Sequence, residues 1–164
     1  QVGGGAHVVF DRDGLRILAF PVDHGPKLAA FGYRFEYEGR TAVFSGDCRP
    51  TPGLIVQAHR ADVLVHEVVS PALERRQALV ADPAAIEGIL ARHTTPQEAG
   101  RIFALTRPRL AVYTHIVPSG ATAADLVPLT RREYRGRLAV GYDLMSITIG
   151  EQIVLGTRGS KGTR

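Results

Sequence analysis

Residues 41–67 read TAVFSGDCRPTPGLIVQAHRADVLVHE, and this stretch decides the fold. An apolar run, Ala42 to Phe44, ends in Ser45-Gly46-Asp47. A second apolar run, Val63 to Val65, ends in His66-Glu67. Residues 51–60 between them are of helical length, with a proline near the start, where its missing N–H is tolerated. Two short apolar runs around such a segment predict a βαβ unit. Both polar clusters then fall at strand C-terminal ends, where α/β sheets put ligands and chemistry. The pattern returns in LAVYTH at 110–115. Asp47, His66 and His115 are therefore expected along one edge of one sheet.

Upstream, Val8 to Phe10 and Leu15 to Val22 are predicted strands around an Asp11-Arg12-Asp13-Gly14 hairpin turn. Phe31 to Tyr37 alternates, so Phe31, Tyr33, Phe35 and Tyr37 share a face, and Glu38-Gly39 turns the chain into Thr41 to Phe44. Downstream, Pro83 opens a predicted helix to Arg92. Thr95, Pro96 and Glu98 form a capping box, starting a helix that ends near Thr106, ahead of Arg107-Pro108. Leu110 to Tyr113 is a predicted strand and Thr122 to Arg132 a predicted helix. Leu138 to Val140, Met145 to Ile149 and Gln152 to Leu155 close the chain as short strands.

A meander of strands followed by alternating strands and helices predicts a mixed α/β (α+β) class. The 164 residues suit one domain, expected over 1–156, with 157–164 a flexible basic tail. No apolar run approaches the roughly 20 residues that cross a bilayer. The first residues lack the charged and apolar regions of a secretory signal and lack an initiator Met, so the chain is expected to begin inside a longer one. Cys48 is the only cysteine, which excludes an internal disulfide and fits a reducing, cytoplasmic location. Of the net charge of +4, Arg158, Lys161 and Arg164 in the tail supply three. The body is then near neutral, which argues against a basic face on the fold.

Six histidines occur, and His24, His66, His93 and His115 lie at predicted element ends. Imidazole with carboxylate is the usual donor set for zinc or manganese. His24, Asp47 and His115 each follow a strand and can meet at one rim. Each also has a plainer reading. His24 suits a solvated loop, Asp47 a turn after Gly46, and His115 a histidine satisfied by strand-end backbone.

The ordered stretches PVDHGP, FGYRFEYEGRTAVFSGD, VLVHE, HTTPQEAGRIF and LAVYTH cover most of 20–115. In that order they resemble the C-terminal half of the metallo-β-lactamase superfamily, closest to its ribonuclease Z branch. The resemblance implies half of an αββα sandwich and two divalent metal ions, zinc or manganese. It implies that His24 is a metal ligand, that Asp47 bridges the two metals, and that His115 is the last histidine ligand. It implies that His93 protonates the leaving group, paired with Glu67, while a metal-bound hydroxide attacks the ester. His66 is expected behind the ligands, donating to Asp47 or to backbone. Cys48 departs from the branch's usual threonine and is read as small-residue packing.

Two departures bear on function. No His-x-His-x-Asp-His motif occurs in the chain, so each metal would receive two ligands from it, below the three a catalytic zinc needs. Activity is expected to require an N-terminal half of the same fold as partner, and a homodimer is open. The long arm by which ribonuclease Z enzymes grip tRNA is also missing, because Glu38-Gly39 leaves no room for it. With a near-neutral body, a small phosphodiester or a sulfate ester is as well supported as an RNA 3′ end. Hydrolysis of another ester, an aryl sulfate or lactone, is the first alternative. A metal-free binding or scaffolding half is the second.

Overall fold

The alternation of Leu15 to Tyr37 and the positive backbone angles at Asp13-Gly14 and Glu38-Gly39 build an antiparallel meander before any helix forms. A computed structural model describes residues 5–27, 29–77 and 82–157. The meander comprises β1 (His7–Arg12), β2 (Leu15–Asp23), β3 (Ala29–Tyr37) and β4 (Arg40–Phe44). Then α1 (Pro52–Ala58) leads to β5 (Val63–Val69), and α2 (Pro71–Gln77), α3 (Pro83–Leu90) and α4 (Pro96–Thr106) lead to β6 (Leu110–Val117). Next, α5 (Ala123–Thr130) precedes β7 (Leu138–Val140), and β8 (Met145–Ile149) with β9 (Ile153–Thr157) forms a hairpin. Of the tail expected at 157–164, Thr157 instead closes β9, and 158–164 lie outside the described residues.

The main sheet runs in the order β1-β2-β3-β4-β5-β6-β7. Its first three pairings are antiparallel and its last three parallel. The predicted βαβ unit is present as β4-α1-β5. Register sets two faces, because side chains alternate along a strand. Val43, Leu64, Ala111 and Leu138 form a row under the helices, in the core that holds Leu54, Ile102, Phe103 and Leu126. Tyr33, Phe44, Val65, Val112 and Ala139 form the row on the other face. The β8–β9 hairpin covers part of that face through Ile147, Ile149 and Ile153. Phe31, Tyr33, Tyr37 and Phe44 on the rest of it stay 40–48% exposed. Among the described residues, no helix is long and apolar enough to cross a membrane.

Two expectations are corrected. The strand expected to end at Val65 continues to Val69, so His66 and Glu67 lie inside it, both fully buried. The strand expected to end at Tyr113 continues to Val117 and contains His115. Both polar pairs are carried inside the sheet because β5 and β6 keep pairing beyond them. The segment 71–77 is helical as well.

Candidate metal and proton-transfer site

The rim at the C-terminal ends of β4, β5 and β6 is assembled by backbone geometry peculiar to each strand. After β4, Ser45 N–H donates to Val65 O at 2.9 Å, and Ser45 Oγ accepts from Glu67 N at 3.1 Å. This ties the loop to β5 before it turns. Gly46 makes the turn at φ +63, and a Cβ there would stand 2.4 Å from Phe31 O, so only glycine fits. Asp47 is thereby lifted onto the rim, 44% exposed, while Cys48 beneath it is fully buried. Burial away from polar solvent pushes the Cys48 thiol up to about 12, with the Glu67 charge adding to the effect, so it packs as a small apolar group.

On β6, Glu67 pairs with Thr114 and Val68 with Ile116, so His115 is the unpaired residue of a β-bulge. Its φ of +39 is left-handed, a rare state for a non-glycine residue. The bulge brings its Nε2 to 3.4 Å from Asp47 Oδ2. His24 follows β2, where Asp23 Oδ1 accepts from Gly25 N at 2.9 Å and Asp23 Oδ2 accepts from Arg49 at 2.7 Å. Those bonds, the Arg49 one first, hold the Asp23 carboxyl below its ordinary value of 3.8. His24 donates through Nδ1 to Arg92 O at 3.1 Å, which leaves Nε2 as a free acceptor.

His93, between α3 and α4, sits in the middle of the cluster. Its ring centroid is 4.9 Å from that of His24 and 5.6 Å from that of His115. Its Nδ1 donates to Glu67 Oε2 at 3.2 Å. Glu67 Oε1 accepts from Thr94 N at 2.8 Å and Cys48 N at 3.4 Å. Thr94 Oγ1 donates to Cys48 O at 2.6 Å, closing the network. The Glu67 hydrogen bond raises the His93 imidazole above its ordinary 6.5, against the opposing effect of burial. His93 can therefore carry a proton near neutrality.

Five of the residues singled out from the sequence thus meet at one rim: His24, Asp47, Glu67, His93 and His115. His66 does not join them. Alternation along β5 turns it to the helix side, where its ring packs edge-on to Phe103 at 5.9 Å. Its Nδ1 donates to Glu67 O at 2.6 Å, and its buried Nε2 has no partner among the described residues. Complete burial lowers its pKa, so it stays neutral. Of its two expected partners, backbone is the one it meets. Among the described residues, no group of three or more His, Cys, Asp or Glu side chains is arranged to hold one metal ion. Sequence reading passed over Ser45, Thr94 and the Asp23–Arg49 pair. Thr94 stands between two residues it did name, but its bond partner is 46 positions away, so no local signal announces it.

The family profile described as beta-lactamase superfamily domain matches residues 2–116. The chain is 33% identical over 144 residues to the ribonuclease Z of Mycolicibacterium paratuberculosis, covering 86% of this chain and 50% of that protein. It spans about half the length of the curated relatives it matches first. Its fold superposes on the metallo-β-lactamase fold protein YhfI of Bacillus subtilis with a TM-score of 0.62 and 18% identity, over 80% of this chain and 49% of that one. It superposes on the short form of human tRNase Z with a TM-score of 0.60 and 22% identity, over 89% and 48%.

Proposed function

This chain belongs to the metallo-β-lactamase superfamily and is ribonuclease Z-like, and from that premise we propose that the intact protein is a metal-dependent phosphodiesterase acting on RNA 3′ ends. The observation that carries the reading is the Glu67–His93 pair set beside Asp47 and His115. The donor chemistry suits zinc or manganese: His24 Nε2 is left free by its Nδ1 bond, and His115 Nε2 and the Asp47 carboxylate are solvent-facing. The donor number does not reach three per ion, so these residues fit as part of a ligand set. The remainder would come from an N-terminal half packed on the open sheet face of Phe31, Tyr33, Tyr37 and Phe44, where these side chains stay exposed.

Two divalent cations, when bound, would activate a shared water and hold the oxygens of an in-line phosphoryl displacement. Asp47 has two carboxylate oxygens and can serve both ions; His24 and His115 offer one nitrogen each. The Glu67 carboxylate on Nδ1–H favours the imidazolium form of His93, whose second proton sits on Nε2. His93 gives that proton to the departing oxygen, and Glu67, buried at 1% exposure, stabilises the charged imidazole until then. His66 holds the Glu67 backbone from behind.

His93→Ala in the complete protein should lower turnover by about 10²- to 10⁴-fold. Metal content by plasma emission should stay at the wild-type value. Retained turnover would remove His93 from the mechanism. A second reading, a smaller ester such as an aryl sulfate or lactone, is favoured by the two-residue turn between β3 and β4. Rates on pre-tRNA, bis-p-nitrophenyl phosphate, p-nitrophenyl sulfate and a lactone separate the two.

A further inference from the structure

The parallel strands have a second end, opposite the rim, and arginine lines it. Arg60, Arg107 and Arg135 each lie three residues before a parallel strand, ahead of Val63, Leu110 and Leu138. Arg109 and Arg137 lie one residue before the last two. Val63 pairs with Leu110, and Ala111 with Leu138, so these loops stand side by side at strand spacing, about 4.8 Å apart. Arg60 N donates to Thr106 O at 2.7 Å and Ala111 N to Arg137 O at 3.0 Å, which fastens the loops together.

Around β5 to β7 the carboxylates of this edge are few, and the exposed Glu38 stands beyond Asp62 at the head of β4. Asp62 is held by Arg109 at 2.6 Å and Glu133 by Arg101 at 3.3 Å. Glu151 lies in the β8–β9 turn above it. The side chains of Arg60, Arg107 and Arg135 are exposed and make no ion pair among the described residues. The near-neutral charge of the body is thus an average that does not describe this edge.

Backbone conformation fixes where two of these arginines stand. Arg60 has φ +53 and Arg107 φ +52, both just past a helix end. Glycine or asparagine is the ordinary occupant of such a position. A cation past a helix end also offsets the negative C-terminal dipole, so arginine is compatible with the fold there while its guanidinium stays exposed. Arginine also presents a planar fork that meets a phosphate with two parallel N–H bonds.

We infer that this edge docks the phosphodiester backbone of the RNA whose 3′ end occupies the rim, in place of the absent arm. The inference rests on reading the rim as a phosphodiester site. Rim and edge are separated by the length of β5, about 20 Å, a span that an RNA of modest length covers.

The test uses the complete protein and a fluorescein-labelled hairpin RNA with a single-stranded 3′ end, followed by anisotropy over a series of KCl concentrations. The variant is Arg60→Gln/Arg107→Gln/Arg135→Gln, which keeps left-handed backbone strain unchanged because glutamine also has a Cβ. Its affinity should fall at least about tenfold. The slope of log K against log salt should shrink by about 2, at about 0.7 per lost contact. Turnover of bis-p-nitrophenyl phosphate should not change. Unchanged affinity and slope in the triple variant would overturn the inference. So would displacement of the RNA by phosphatidylserine vesicles or polyglutamate at equal charge concentration, which would assign the edge to a membrane or an acidic protein. His93→Ala separates the two readings: surviving turnover with intact RNA binding sinks the rim mechanism and leaves the edge standing.

Discussion

Glu67 divides its two oxygens between different tasks. Oε1 takes the N–H groups of Thr94 and Cys48, and Oε2 takes His93 Nδ1. In Glu67→Gln the amide oxygen keeps the two backbone donors, so the amide nitrogen turns to His93. Nδ1 must then accept, the ring changes tautomer, and the imidazolium loses its stabilising charge. The His93 titration midpoint, followed by its ring-proton chemical shift, should fall in the variant. The sign for stability follows from the raised pKa. Protonated His93 stabilises the fold; that contribution is full below 6.5 and is lost as pH rises through the elevated folded value. The Glu67→Gln protein should therefore lose more stability at pH 6 than at pH 9 in urea titrations. An unchanged midpoint would mean that Glu67 does not govern the proton on His93.

Helix α4 and the β4 loop position these residues. The capping box at Thr95 is complete: its backbone N–H donates to Glu98 Oε2 at 2.9 Å and its hydroxyl accepts from Glu98 N at 3.4 Å. It starts the helix directly after His93-Thr94, so fraying there would loosen the Thr94 bond to Glu67. Thr95→Ala should cost about 1 kcal/mol in denaturant unfolding. The Gly46 turn is less forgiving, because both its positive φ and the nearness of Phe31 O exclude a Cβ. Gly46→Ala should cost more than about 1 kcal/mol and lower metal affinity by moving Asp47. An alanine variant with native stability and metal uptake would show that the turn has slack.

As a whole, the molecule has one sheet face closed by helices and the other covered only in part. The exposed aromatic side chains of β3 and β4 are the surface a second layer would bury. The 164-residue chain by itself is predicted to bind zinc more weakly than micromolar by calorimetry and to bind an apolar dye such as ANS. Micromolar or tighter zinc affinity would mean that the rim completes its ligand set without other residues.

Local chemistry made much of this legible in the sequence. The meander, the βαβ unit, the α4 capping box and the β7 and β8 spans depend on alternation, turn residues and caps, all of which act over a few positions. The rim residues were legible as an ordered set of polar punctuation after apolar runs. Strand ends were not: β5 and β6 run through His66, Glu67 and His115 because strand pairing outweighs the local polarity of those residues. The bulge that turns His115 toward Asp47, the burial of Glu67 beneath His93, and the fate of His66 on the opposite face depend on register between distant segments. So does the gathering of arginines at one edge, since composition records only the sum, whereas a parallel sheet sorts residues by which end of a strand they adjoin.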